Sequence, residues 1–310
     1  MTDEQRAAGD DAGQDISAPA PAMATDAPIK EDSQDRFGRR RLADSIAEDL
    51  TGDASPIVVA VVGPWGSGKT SVLELVRRRL DAPDVVVIDF NPWLFAGTDQ
   101  LIQHFFAELV AQLSTNEDKR VRGAADKVEQ YSEILDPLAG LPGIGEVAKT
   151  GRGGLRVLAK VMRNRSRFGG ASAQKQRRAI EEALNESQKR FVVIIDDIDR
   201  LEQDEVRDIV RLVRLVADFP SVNYLLAFDR EKVELALGRN DLAVGRDYLE
   251  KIVQVTHPVP LPESSALQRL TLEALDSAIH ASETRELDQR YWSSVWHGAI
   301  RPLLRPPRDV

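Results

Sequence analysis

Four short runs of this chain are apolar at nearly every position: Ile57 to Val62, Val85 to Phe90, Phe191 to Ile195 and Val222 to Phe228. A strand with one face in water alternates apolar and polar residues. A run that stays apolar is covered on both faces, as happens in parallel sheets flanked by helices. Between these runs, apolar positions recur at helical spacing over Lys69 to Leu80, Gln100 to Leu113, Gln174 to Gln188 and Glu202 to Ala217. The alternation of strand and helix predicts an α/β core, doubly wound around a parallel sheet.

Residues 115–170 break the alternation and are too long for an ordinary connection, so they are expected to be a helical insertion. The core is then 36–114 together with 171–260. Lys149 to Arg178 carries ten Lys and Arg and no Asp or Glu, which makes the insertion basic. Beyond Tyr248 the pattern turns helical. The "PVPLP" at Pro258 to Pro262 reads as a hinge into 261–310, a partial helical lid, and His257 just before it reads as a chain turn.

Charge changes the picture at the other end. Residues 1–35 hold nine Asp and Glu against two Lys and Arg, and no aromatic residue. They bury too little apolar surface to offset their ordering entropy and read as a disordered acidic leader. The leader accounts for −7 of the formal net charge of −9, leaving −2 for the body. The 310 residues contain no cysteine, which excludes disulfides, thiol nucleophiles and thiolate metal sites. No secretory signal and no run of 18 apolar residues is present, so the reading is cytoplasmic with no transmembrane segment.

The first apolar run leads into "GPWGSGKTS", Gly63 to Ser71, which carries the P-loop or Walker A pattern at Gly63, Gly68, Lys69 and Thr70. Glycines allow consecutive backbone N–H groups to face one point, the following helix adds its positive end, and the lysine supplies a mobile charge. Gly63, Pro64, Trp65, Gly66, Ser67, Gly68, Lys69, Thr70 and Ser71 are therefore the expected nucleotide-binding residues, with Thr70 placed for Mg2+. The third run ends in Asp196 and Asp197, the form of a Walker B motif. Asp196 is expected to hold the metal; Asp197, by ordering the attacking water, and Lys69, by its charge on the phosphates, are the expected catalytic residues. Asp197 or Asp199 capping the next helix is the alternative. The fourth run ends at Asp229 and Arg230, candidates for sensing the γ-phosphate, with Asp229 as a helix N-cap the competing account. His104, His257, His280 and His297 lack ligand spacing.

Together these segments resemble the KAP family of P-loop NTPases, within the signal-transducing ATPases with an additional strand. The resemblance rests on "GPWGSGKTS", "FNPWLF" at Phe90 to Phe95, "IDDIDRL" at Ile195 to Leu201, "LLAFDRE" at Leu225 to Glu231 and "YLEKIVQ" at Tyr248 to Gln254. It implies a sheet in the order 5-1-4-3-2, ATP with Mg2+, and hydrolysis coupled to conformational switching or assembly. Arg308, in "RPPRDV", matches the family's Pro-Arg-Asp element and is a third sensor candidate. Trp65 and Trp93 belong to the resemblance; Trp65 either shields the nucleotide or, like Trp93, packs into the core. Many members carry transmembrane helices between the Walker motifs, where this chain has its basic insertion. Leu155, Leu158, Val161 and Met162 share one helical face there, and Arg152, Arg156, Lys160 and Arg163 another. Such a helix is either a solvated face or, through 149–178, a contact for an anionic membrane surface or nucleic acid.

The expected activity is thus that of a KAP-type switch ATPase that self-associates or engages a partner protein. Bacterial antiviral defence, or signalling at a membrane surface, is the setting the resemblance implies. The alternative is a nucleotide-gated scaffold that binds ATP with little turnover, favoured by Asp in place of Glu at position 197. A small-molecule kinase fits poorly with the late paired-Asp motif.

Overall fold

The four apolar runs are strands, β1 (Val58–Val62), β2 (Val85–Phe90), β3 (Arg190–Ile195) and β4 (Val222–Phe228), and a fifth, β5 (Val255–Pro258), joins them. The coordinates are a computed structural model that describes residues 27–52, 56–95, 101–139, 170–215, 219, 221–281 and 288–304. All strand pairings are parallel, in the order β2-β3-β4-β1-β5. Read from the β5 edge this is 5-1-4-3-2, the expected order. The turn expected at His257 is instead strand, pairing with Val61 of β1. β5 is short and only half buried, so it lacks the continuous apolar run that marks its neighbours. As an edge strand it also tolerates Pro258, which has no N–H to donate.

The period of two divides each central strand between two cores. Val59 and Val61 of β1, Val192 and Ile194 of β3, and Leu225 and Ala227 of β4 face helices α1 (Arg40–Thr51) and α2 (Lys69–Arg79). Val58, Ala60 and Val62, with Phe191, Val193, Ile195, Tyr224, Leu226 and Phe228, face the opposite layer. That layer contains α3 (Leu101–Ser114), α4 (Lys119–Ala139), α5 (Gly170–Ser187), α6 (Gln203–Leu215), α7 (Arg230–Leu237) and α8 (Leu242–Leu249). Each fully buried Val, Leu or Phe side chain contributes about 1.5–3 kcal/mol of transfer free energy. Asn223 is the polar exception inside β4. It accepts from Ile57 N–H at 3.1 Å and donates to the Leu50 carbonyl at 2.7 Å, tying the end of α1 to the start of β1.

The expected insertion begins as part of this core, because Val121, Ala124, Ala125 and Val128 of α4 are buried with α3 and α5. The amphipathic pattern at Arg152 to Arg163 lies outside the described residues. So do the first 26 residues of the expected leader. Its last stretch, by contrast, is seated on α2. Arg79 pairs with Asp32 at 3.1 Å and also with Asp44, and Arg78 donates to the Lys30 carbonyl at 2.6 Å. Ile29 N–H meets the Ser71 hydroxyl at 3.4 Å. One leader carboxylate, Asp32, and the Lys30 carbonyl thus meet the arginines in the last turn of α2.

Residues Pro28–Pro262 form one compact unit, and Met1–Ala27 with Glu263–Val310 another. The second contains α9 (Ser264–Ala281) and α10 (Gln289–Val295), the latter N-capped by Asp288 and continued by a π-helical turn over Trp296–Ile300. Among the described residues, no helix is long and apolar enough to cross a membrane.

Candidate nucleotide site

Parallel strands bring all their C-terminal ends to one edge of the sheet. Val62 of β1 stands opposite Phe228 of β4, and Phe90 of β2 opposite Ile195 of β3. The residues that follow these ends, Gly63, Asn91, Asp196 and Asp229, therefore gather along that edge. The helix after β1, α2, packs on one face of the sheet and the helix after its neighbour β4, α7, on the other, so the chain departs to opposite sides between β1 and β4, the position where open α/β sheets hold their ligands.

The loop from Gly63 to Gly68 has the shape a phosphate requires. Gly66 and Gly68 have φ of +79° and +92°, which side chains with a Cβ disfavour. A Cβ on Gly63 would lie 2.5 Å from the Ser67 hydroxyl, so the first glycine is set by close approach. Ser67 is buried and its hydroxyl is one of two buried side-chain atoms without a hydrogen-bond partner among the described residues. Lys69 folds back over the loop, its Nζ 3.0 Å from the Gly63 carbonyl, 3.4 Å from that of Pro64 and 3.8 Å from the Asp199 carboxylate. Trp65 and Trp93 are 55% and 48% exposed, so neither packs into the core.

Thr70 and Asp196, separated by 126 positions in sequence, meet through a 3.0 Å hydrogen bond from the threonine hydroxyl to Asp196 Oδ2. The other oxygen accepts the Asp197 N–H at 2.7 Å. Burial, reinforced by the neighbouring Asp197 charge, pushes the Asp196 carboxyl above the usual carboxylate range. A hydroxyl and a desolvated carboxylate are hard oxygen donors of the type Mg2+ takes, and the orphaned serine and glycine cradle suit the phosphates it accompanies.

Asp197 stands in the left-handed region, φ 59°, and makes no capping hydrogen bond. Both carboxylate oxygens are instead engaged: Oδ2 accepts from Asn91 Nδ2 at 3.1 Å, and Oδ1 lies 2.7 Å from Arg200 Nε. Asn91 is itself fixed, since its Oδ1 accepts the Trp93 N–H at 3.1 Å. Asp199, considered only as a cap, is instead the carboxylate facing Lys69, and its side chain is 4% exposed. Asn91 was not singled out at all. A signal existed, because it is the polar residue immediately after β2, as Asp196 is after β3. Asp229 does cap α7, accepting the Glu231 N–H at 3.1 Å. Arg230 turns to the buried Glu234, 2.6 Å away. Arg308 lies outside the described residues.

The phage T7 exclusion protein of Escherichia coli (strain K12) is 30% identical to this chain over 288 residues, a match covering 82% of the chain and 38% of that protein. The chain thus spans well under half of that relative. Solved structures with a similar course include the Aeropyrum pernix ORC2 protein, at TM-score 0.41 and 12% identity over 82% of this chain and 55% of that one. The Pyrobaculum aerophilum Cdc6p follows at TM-score 0.39 and 12% identity, covering 77% and 50%. The sequence match that spans the whole sheet is to the KAP family P-loop domain over residues 39–310, and the chain belongs to that family.

Proposed function

We propose that this chain is an ATP-hydrolysing switch acting in defence against phage. The observation that carries the reading is the junction of Thr70 with Asp196 at 3.0 Å beside Asp197, which joins the phosphate loop to a carboxylate pair. The loop N–H groups and Lys69 bind the triphosphate, with the lysine exchanging its carbonyl and Asp199 contacts for phosphate oxygens. Thr70 and Asp196 would hold Mg2+, which would supply positive charge to offset that of the phosphates. Asp197 orients a water whose oxygen bonds to the γ-phosphorus as the bond to the β–γ bridging oxygen breaks; the water proton leaves towards Asp197 or the departing phosphate. The phage-exclusion relative supports the defence setting. The ten cations of Lys149 to Arg178 support contact of the switch with an anionic surface.

A second reading, a scaffold that binds ATP with little turnover, is favoured by one observation: both oxygens of Asp197 are already engaged. ATP binding and phosphate release, measured with Mg2+ on the purified chain and on Lys69→Ala and Asp197→Asn, separate the two. The switch requires turnover in the parent, lost binding in Lys69→Ala, and binding without turnover in Asp197→Asn. Tight binding with no phosphate release in any of the three selects the scaffold, and no binding refutes both.

A further inference from the structure

The ion pair on Asp197 poses a chemical problem. Arg200 Nε lies 2.7 Å from Asp197 Oδ1 and Asn91 Nδ2 3.1 Å from Asp197 Oδ2, so neither oxygen is open to a water while this pairing holds. Arg200 has the means to leave. Its side chain is 42% exposed, and its guanidinium lies over the Trp93 ring at 5.6 Å, a surface along which it can slide while keeping a favourable contact. Asn91 holds the other oxygen from the β2 side, so Asp197 would stay in place when Arg200 departs. Arg230, the arginine among the described sensor candidates, is committed elsewhere: it is hydrogen-bonded to Glu234 and lies 3.9 Å from Glu250.

We infer that Arg200 is the arginine of its own site, exchanging Asp197 for the γ-phosphoryl group when ATP is bound. This rests on the ATP-binding reading above and assigns the site a cation from the same chain in place of one donated by a neighbour. While no stronger anion is near, the carboxylate holds Arg200. A γ-phosphate offers more charge and three acceptor oxygens, and an arginine fork binds such a group in bidentate fashion. The exchange frees Asp197 Oδ1 for the water and places positive charge where it accumulates in the transition state. ADP lacks the γ-phosphoryl and leaves the pair closed. Trp93 reports the exchange because the guanidinium leaves its ring.

The test uses the full chain. Emission of Trp93, taken as the difference between the parent and Trp93→Phe, is expected to change with Mg·ATP and not with Mg·ADP, and the change is expected to vanish in Arg200→Ala. Turnover in Arg200→Ala is expected to fall at least ~30-fold, with ATP affinity within about fivefold, below the range of donated arginines because Asp197 is freed at the same time. Arg200→Lys, which keeps the charge without the fork, falls between. Mixing Arg200→Ala with Lys69→Ala is expected to restore nothing, since an arginine acting within its own chain cannot rescue another. Equal Trp93 responses to ATP and ADP, undiminished turnover in Arg200→Ala, or restored turnover on mixing would overturn the inference. If the parent binds ATP and releases no phosphate, the hydrolysis reading fails alone, and the Trp93 response still decides the exchange.

Discussion

Replacing Lys69 with alanine is expected to destabilise the nucleotide-free protein as well as to abolish binding. The side chains of Lys69 and Asp199 are 10% and 4% exposed, with 3.8 Å between Nζ and Oδ2. Removing one partner of a buried pair leaves the other charge uncompensated, at a cost of about 3–5 kcal/mol. The separation here is that of an ion pair without a close hydrogen bond, which points to the lower end, about 3 kcal/mol. For a domain of this size that lowers the melting temperature by ~6–12 °C. Thermal unfolding of the parent, Lys69→Ala, Asp199→Asn and the double variant without nucleotide measures it. Adding Asp199→Asn removes the stranded charge, so the double variant is expected to recover most of the lost stability while still failing to bind ATP. Such a recovery is a direct coupling between the two positions. A Lys69→Ala melting temperature within about 1 °C of the parent, or a double variant no more stable than the single one, would refute the reasoning.

Two other perturbations test the same site. The Asp196 carboxyl is held above its usual value of 3.8 by burial and by Asp197, so its ionised form weakens the folded state. The penalty is full above the raised folded-state value and fades as pH falls towards 3.8, the unfolded value. Asp196→Asn should therefore melt higher than the nucleotide-free parent at neutral pH, with the gap closing in acid, and should lose any stabilisation by Mg·ATP. A gap that widens in acid contradicts this. Gly63→Ala places a Cβ 2.5 Å from the Ser67 hydroxyl and 3.3 Å from Ser67 Cβ, so Ser67 must shift within the loop. ATP affinity by calorimetry should drop roughly tenfold, an overpacking strain of about 1–3 kcal/mol, and unchanged affinity would show that the loop is looser than its geometry.

Much of this protein was readable from the chain itself. A run such as "VVAVV" has few alternatives to a strand covered on both faces, and a glycine-rich turn between such a strand and a helix has few uses besides phosphate binding. Those signals are local, so β1 to β4, the P-loop and the paired aspartates could all be found without coordinates. β5 escaped the pattern because it is only four residues long and half buried, so "VTHP" carries no apolar run. What the sequence could not decide was who meets whom across the sheet. Thr70 reaches Asp196 over 126 positions, Asn91 reaches Asp197 over 106, and the carboxylate that faces Lys69 is Asp199, not the pair beside it. Such contacts depend on strand order and on which way each residue turns as it leaves its strand. Only the packed tertiary structure sets both, because the free energy that fixes them comes from two cores spanning the whole fold and not from the residues at the site.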